Sequence, residues 1–119
     1  MADIPLSEMR RDYSGPQLDL ENTPDTPLPQ FIKWFDEVKA ENIIDPHAAT
    51  LSTVSQHNTP QSRIILIKHI QNNTFTFFTD YNSQKGQAIA QNPHVALLFY
   101  WAPKDRQVHL RGIATKIEK

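Results

Sequence analysis

The chain has no cysteine and only three glycines among its 119 residues. The first absence excludes disulfides and thiolate metal sites. The glycine shortage goes with the lack of any GxGxxG or Walker-type phosphate loop. There is no GxSxG elbow either. The five histidines, His47, His57, His69, His94 and His109, show no HExxH-type ligand spacing. Charge of one sign is also missing: 12 basic residues face 13 acidic ones, unlike the basic footprint of a nucleic-acid binder. No apolar run approaches the roughly 18 residues of a membrane span. The opening MADIPLSEMRRDY lacks the apolar core of a signal peptide. One domain in a reducing cytoplasm is the expectation.

Apolar content is 39%, below the globular average, and the deficit lies mostly in residues 1–26. That stretch is polar, acidic and interrupted by Pro5, Pro16 and Pro24. It cannot bury enough surface to fold alone and reads as a flexible arm. Residues 27–119 read as the folded domain. Within the arm, Arg10, Arg11, Asp12 and Tyr13 form a compact polar and aromatic group. Two readings stand: a solvated tail, or an arm that folds over a ligand.

Thr26 and Pro27 suit the start of a helix, and Leu28, Phe31, Ile32, Phe35 and Val38 recur at helical spacing. Asp45–Pro46 ends any continuation. From there the period changes to that of strands. Residues 48–55 are small and β-branched; 61–69, 74–79, 94–101 and 106 onward complete five expected strands, the last running to the end of the chain. Gln71–Asn73 reads as a tight turn, because asparagine tolerates left-handed φ. Between the third and fourth strands, Asn82 or Ser83 can cap a short helix that Asn92–Pro93 stops. A leading helix, an inserted helix and five strands predict an α+β fold on a small barrel. Such a barrel borrows an edge, most naturally by dimerisation.

The segment Arg63–Lys68, RIILIK, concentrates the chemistry. Four branched aliphatics between two cations predict a strand buried on both faces. The cations either snorkel to solvent or hold an anionic ligand such as phosphate. Without a glycine-rich loop, a phosphate site has to come from side chains and a helix N-terminus. That directs attention to Arg63, Lys68, Ser83 and Lys85. Arg63 and Lys68 are five residues apart, so an ideal strand sends them to opposite faces. One ligand reaches both only around the strand edge or through a bulge.

These residues resemble the pyridoxine/pyridoxamine 5′-phosphate oxidases, a family with an FMN-binding split β-barrel. The matching pieces run in order: RRDY at 10–13, PLPQFIKWFDE, RIILIK, FFTDYNSQKGQAI, NPHVALLFYW and RQVHLRG. The resemblance implies FMN as cofactor. It implies Arg63, Ser83 and Lys85 as ligands of its phosphate, with Gln84 beside them. It places the backbone of Ile64, Ile65, Leu66 and Ile67 along the flavin ring, Phe78, Thr79 and Gln107 against the flavin, and Lys68 against both flavin and substrate. Arg10, Arg11, Asp12 and Tyr13 match an arm that closes over the substrate. Implied partners are pyridoxine or pyridoxamine 5′-phosphate, oxygen and a second copy in a homodimer; no residue is implied as a catalytic acid or base.

Two departures carry expectations. Gln84 stands where the family usually has Arg, which removes a charge-assisted phosphate contact worth about 1–3 kcal/mol. The family also continues for roughly another half-chain, which carries substrate-phosphate ligands. The present chain is therefore expected to be the front half of such an oxidase, with weak or absent turnover alone. A non-catalytic flavin-binding module and a flavin-free interaction domain are the alternatives.

Overall fold

The structure is a computed structural model, and it describes residues 6–9, 11–12 and 24–117. Helix α1 spans Pro27–Ala40. Strands β1, Ala48–Val54, and β2, Pro60–Leu66, form an antiparallel hairpin. A second, small hairpin joins β3, His69–Gln71, to β4, Thr74–Thr76. Helix α2, Gln84–Gln91, follows, and then β5, His94–Trp101, and β6, Arg106–Ile113. The main sheet has the order β2-β1-β5-β6, all antiparallel.

Pro27 at the first helical position starts α1, while the Thr26 side chain makes no capping bond. The helix ends well before Pro46. Asn42 takes left-handed φ, the Asn42 N–H donates to Lys39 O, and the Ile43 N–H donates to Val38 O. This paired closure satisfies carbonyls that would otherwise be orphaned. In the β3–β4 turn, Asn72 and Asn73 both have positive φ, the geometry of a two-residue turn matched to strand twist.

The core lies on one face of the sheet. Ala49 and Leu51 of β1, Ile65 of β2, Ile67, and Leu97, Phe99 and Trp101 of β5 are buried there with Phe31 and Val38 of α1. Phe31 is the hub. Its ring lies 5.0 Å from Phe99 and 5.3 Å from Phe75, both edge-on, and 5.7 Å from Trp101. The small hairpin thus folds onto α1 through Phe75. Trp101 Nε1–H donates to Pro46 O at 3.0 Å, so this indole fills the core without orphaning its polar atom.

Three expectations need correction. The segment 61–69 is not one strand. The Ile67 N–H donates to His47 O, but the Lys68 N–H donates to Thr76 O, so the chain changes partner there and, among the described residues, six strands replace five. The last strand stops at Ile113. RIILIK is also not buried on both faces: Ile65 and Ile67 are buried, whereas Ile64 is 67% exposed and Leu66 38%. The face carrying Ile64, Leu66 and Tyr100 is left uncovered.

Phe31→Ala removes the ring on which both helix and hairpin pack. It is expected to destabilise the fold by about 3–5 kcal/mol, read as a lower denaturation midpoint; an unchanged midpoint contradicts the hub assignment.

Candidate functional site

Strand alternation decides what β2 presents. Arg63 shares the core-side face with Ile65, and its side chain is half-buried. Its register partner on β1 is Leu51. Among the described residues its Nε is buried without a hydrogen-bond partner, and its Nη2 reaches only Gln61 Oε1, at 3.5 Å. Thr53 Oγ1, diagonal to it on β1, is likewise buried and unpartnered. A half-buried cation with an orphaned donor is costly unless an anion satisfies it. These atoms therefore fit an anionic group.

The loop after β4 builds a second polar point. Ser83 caps α2: its Oγ accepts from the Gly86 N–H at 3.1 Å and donates to Asp80 O at 2.6 Å. Thr79 Oγ1 lies 3.5 Å from the same hydroxyl. Lys85, in the first turn, is half-buried; Gln84 is exposed. Gly86 makes this close loop–helix junction possible. A Cβ there would lie 2.5 Å from Asp80 O and 2.7 Å from Tyr81 O, a clash with backbone that cannot turn aside. Its position in the helix gave no sign of that contact in the sequence; nor did Thr53 or Gln61 stand out from their neighbours.

Helix α2 lies against β1, the strand next to β2. The fold thereby puts Arg63 and the Ser83–Lys85 turn on neighbouring elements, with no direct bond between them among the described contacts. Lys68 is exposed, and so is Phe78, at 73%. Gln107 is exposed on β6 and registers with Tyr100, on the uncovered face of the sheet that also carries Ile64 and Leu66. The candidates therefore fall on two sides of β2. That strand is an edge of the main sheet, so its outward backbone groups are open to a ligand that passes from one side to the other.

In the arm, Arg10 and Tyr13 lie outside the described residues. Asp12 is exposed. Arg11 forms an ion pair with Asp105 and donates from Nη2 to Ala102 O at 2.8 Å. Asp105, and after it Tyr100, raises the Arg11 pKa above its ordinary value. A cavity of about 740 Å³ opens elsewhere, among Phe75, Phe77, Leu97, Leu110, Ile113 and Ile117. Of the cofactor candidates only Phe78 and Thr79 line it. It is the open end of the core rather than the polar site around Arg63. Among the described residues no cluster of three potential metal ligands occurs, and no helix is long and apolar enough to cross a membrane.

The family model described as pyridoxamine 5′-phosphate oxidase matches residues 35–119. The chain belongs to this family. It is 41% identical over 114 residues to the pyridoxine/pyridoxamine 5′-phosphate oxidase of Ralstonia pickettii, covering 96% of this chain and 54% of that protein. The chain thus spans about half the length of the curated relatives it matches. Among solved structures, PhzG from Burkholderia lata, in complex with tetrahydrophenazine-1-carboxylic acid, aligns with a TM-score of 0.78 at 23% identity, over 82% of this chain and 48% of that one. A pyridoxamine 5′-phosphate oxidase-related, FMN-binding protein from Nostoc punctiforme aligns at 0.65 and 21% identity, over 74% and 47%. The fold is that of the FMN-binding split barrel, and the curated relatives of the family are named as oxidases.

The Ser83–Gly86 junction yields a test. In an open helix Gly→Ala gains up to about 1 kcal/mol. Here the clash outweighs that gain, so Gly86→Ala is expected to destabilise by about 1–3 kcal/mol in thermal unfolding. A stabilised Gly86→Ala protein contradicts the close packing.

Proposed function

We propose that the chain binds FMN through Arg63, Ser83 and Lys85 at the phosphate, with the open edge of Ile64–Ile67 along the flavin ring. The single observation that carries this reading is the half-buried Arg63 guanidinium with its unpartnered Nε. Thr53 adds an unsatisfied hydroxyl beside it, and Gln84 leaves the phosphate with one fewer cation than the family usually offers. Phe78, Thr79 and Gln107 serve the flavin, and Lys68 faces flavin and substrate together. Arg10, Asp12 and Tyr13 are the proposed substrate contacts.

The reaction proposed for the complete fold is oxidation of pyridoxine or pyridoxamine 5′-phosphate to pyridoxal 5′-phosphate, with oxygen as acceptor. Bound FMN supplies the redox chemistry; the protein's residues bind, orient and charge the site. Lys68 and the Arg63 cluster supply positive charge on the two sides of the β2 edge, which suits a ligand with a phosphate at one end and an electron-accepting ring at the other. PhzG, which shares the fold, is in complex with tetrahydrophenazine-1-carboxylic acid, so the fold alone does not fix the substrate. A non-catalytic flavin-binding module is the second reading. Purified protein carrying flavin absorbance, with no turnover of pyridoxamine 5′-phosphate, selects it.

A second copy of the chain is the proposed cover for the uncovered sheet face, where Ile64 is 67% and Tyr100 64% exposed. Apolar exposure of this kind marks an interaction surface. Ile64→Lys is expected to shift the mass in solution from dimer to monomer; a monomeric wild type rejects the proposal.

FMN titration tests the site directly. Arg63→Ala is expected to weaken FMN binding by roughly 10- to 100-fold, the cost of losing a charged hydrogen-bond donor. His109→Ala, an exposed strand residue, leaves it unchanged. Equal dissociation constants for the two variants sink the phosphate assignment.

A further inference from the structure

We propose that Arg11 is a positioning residue, the pin that docks the N-terminal arm on the β5–β6 corner. The inference rests on the flavin reading only in placing that corner beside the cofactor.

The corner carries three consecutive charges, and each engages a different partner. Lys104 Nζ lies 2.9 Å from Glu41 Oε1, and Arg106 Nη1 lies 2.5 Å from Glu37 Oε2. Glu37 lies in the last turn of α1 and Glu41 caps it, so these pairs tie the corner to the helix. The Arg106 guanidinium also sits 4.6 Å from the Trp34 ring centroid. Between them, Asp105 adopts left-handed φ, 53°, and its side chain is only 5% exposed. A carboxylate held that far from water needs a cation. Arg11 supplies it.

Arg11 engages the corner with both terminal nitrogens, one on the Asp105 carboxylate and one on Ala102 O. A planar fork can make both contacts at once; a lysine ammonium, a point charge, is poorly suited to the pair. With its fork committed, Arg11 differs in role from its chain neighbours Arg10 and Asp12. Tyr100, after Asp105, also raises the Arg11 pKa. Tyr100 registers with Gln107, a flavin candidate. Docking at this corner therefore brings the arm to the rim of the proposed flavin site.

The absence of cysteine allows a clean test on the full chain. Leu6, 61% exposed, is replaced (Leu6→Cys) and spin-labelled, and the spectrum reports arm mobility. With Arg11 and Asp105 intact, a slow component is expected. Arg11→Glu and Asp105→Asn each lose it, Arg11→Lys retains it in part, and the swap Arg11→Asp with Asp105→Arg restores it. Asp105→Asn keeps a residue that tolerates left-handed φ, so it reads the charge rather than the turn. FMN affinity, measured in parallel, stays unchanged in Arg11→Glu. A slow component that survives both single substitutions overturns the pin. So does a loss of FMN affinity in Arg11→Glu as large as in Arg63→Ala, which makes Arg11 a cofactor ligand. If Arg63→Ala leaves FMN binding intact while the label still responds to Asp105→Asn, the flavin reading fails and the pin stands.

Discussion

The alternation of β2 is the constraint on which the rest depends. A strand sends successive side chains to opposite faces. Once Ile65 and Ile67 enter the core under the rings of α1, Arg63 has to follow them to the same side. Ile64, Leu66 and Lys68 are thereby committed to the other. A cation drawn toward a core is unfavourable by itself, and β2 offers it only a long contact from Gln61; among the described residues Arg63 Nε has no partner. The strand can hold the residue there because its neighbours bury enough apolar surface to keep the register. The proposed anion site is thus a by-product of how the core is threaded, with the open strand edge beside it.

The second organising element is the charged corner after β5. Exposed ion pairs contribute little to stability, typically well under about 1 kcal/mol. The pairs at this corner are not fully exposed. The Arg106 side chain is 9% exposed and lies against Trp34; that of Lys104 is 16% exposed. Removing one partner would leave a partly buried charge unmatched, which costs more than the pair contributes. The corner consequently couples α1, the β5–β6 connection and the start of the chain, three regions far apart in sequence.

Much of this was legible in the residues, wherever a local rule sufficed. Pro27 marks the start of α1, Asn72 and Asn73 mark the hairpin turn, and Ser83 marks the cap of α2; each acts through its own backbone or its nearest neighbours. The period-two pattern of residues 106–113 gave β6 its faces. What could not be read depends on partners distant in sequence. No glycine or proline marks the switch at Ile67–Lys68, because it is made by carbonyls of His47 and Thr76. Four aliphatics in a row look the same whether their second face is covered by the same chain or left open, so the exposure of Ile64 was hidden. Asp105 revealed nothing of Arg11. For the site, the residue types and their order pointed to an anion, but the orphaned Nε that supports it exists only after folding.

The edge position of β2 has a colloidal consequence. An open strand edge invites pairing with strands of other molecules, and exposed aliphatics next to it add to the hazard. Here the edge begins with Pro60, which has no N–H to donate. It contains a guanidinium that an incoming strand would help to shut away from water, and it is followed by Lys68. These residues act as gatekeepers. The cation proposed to receive a phosphate would also discourage the unliganded chain from adding to itself, so the proposed ligand affinity and resistance to self-addition draw on the same side chain.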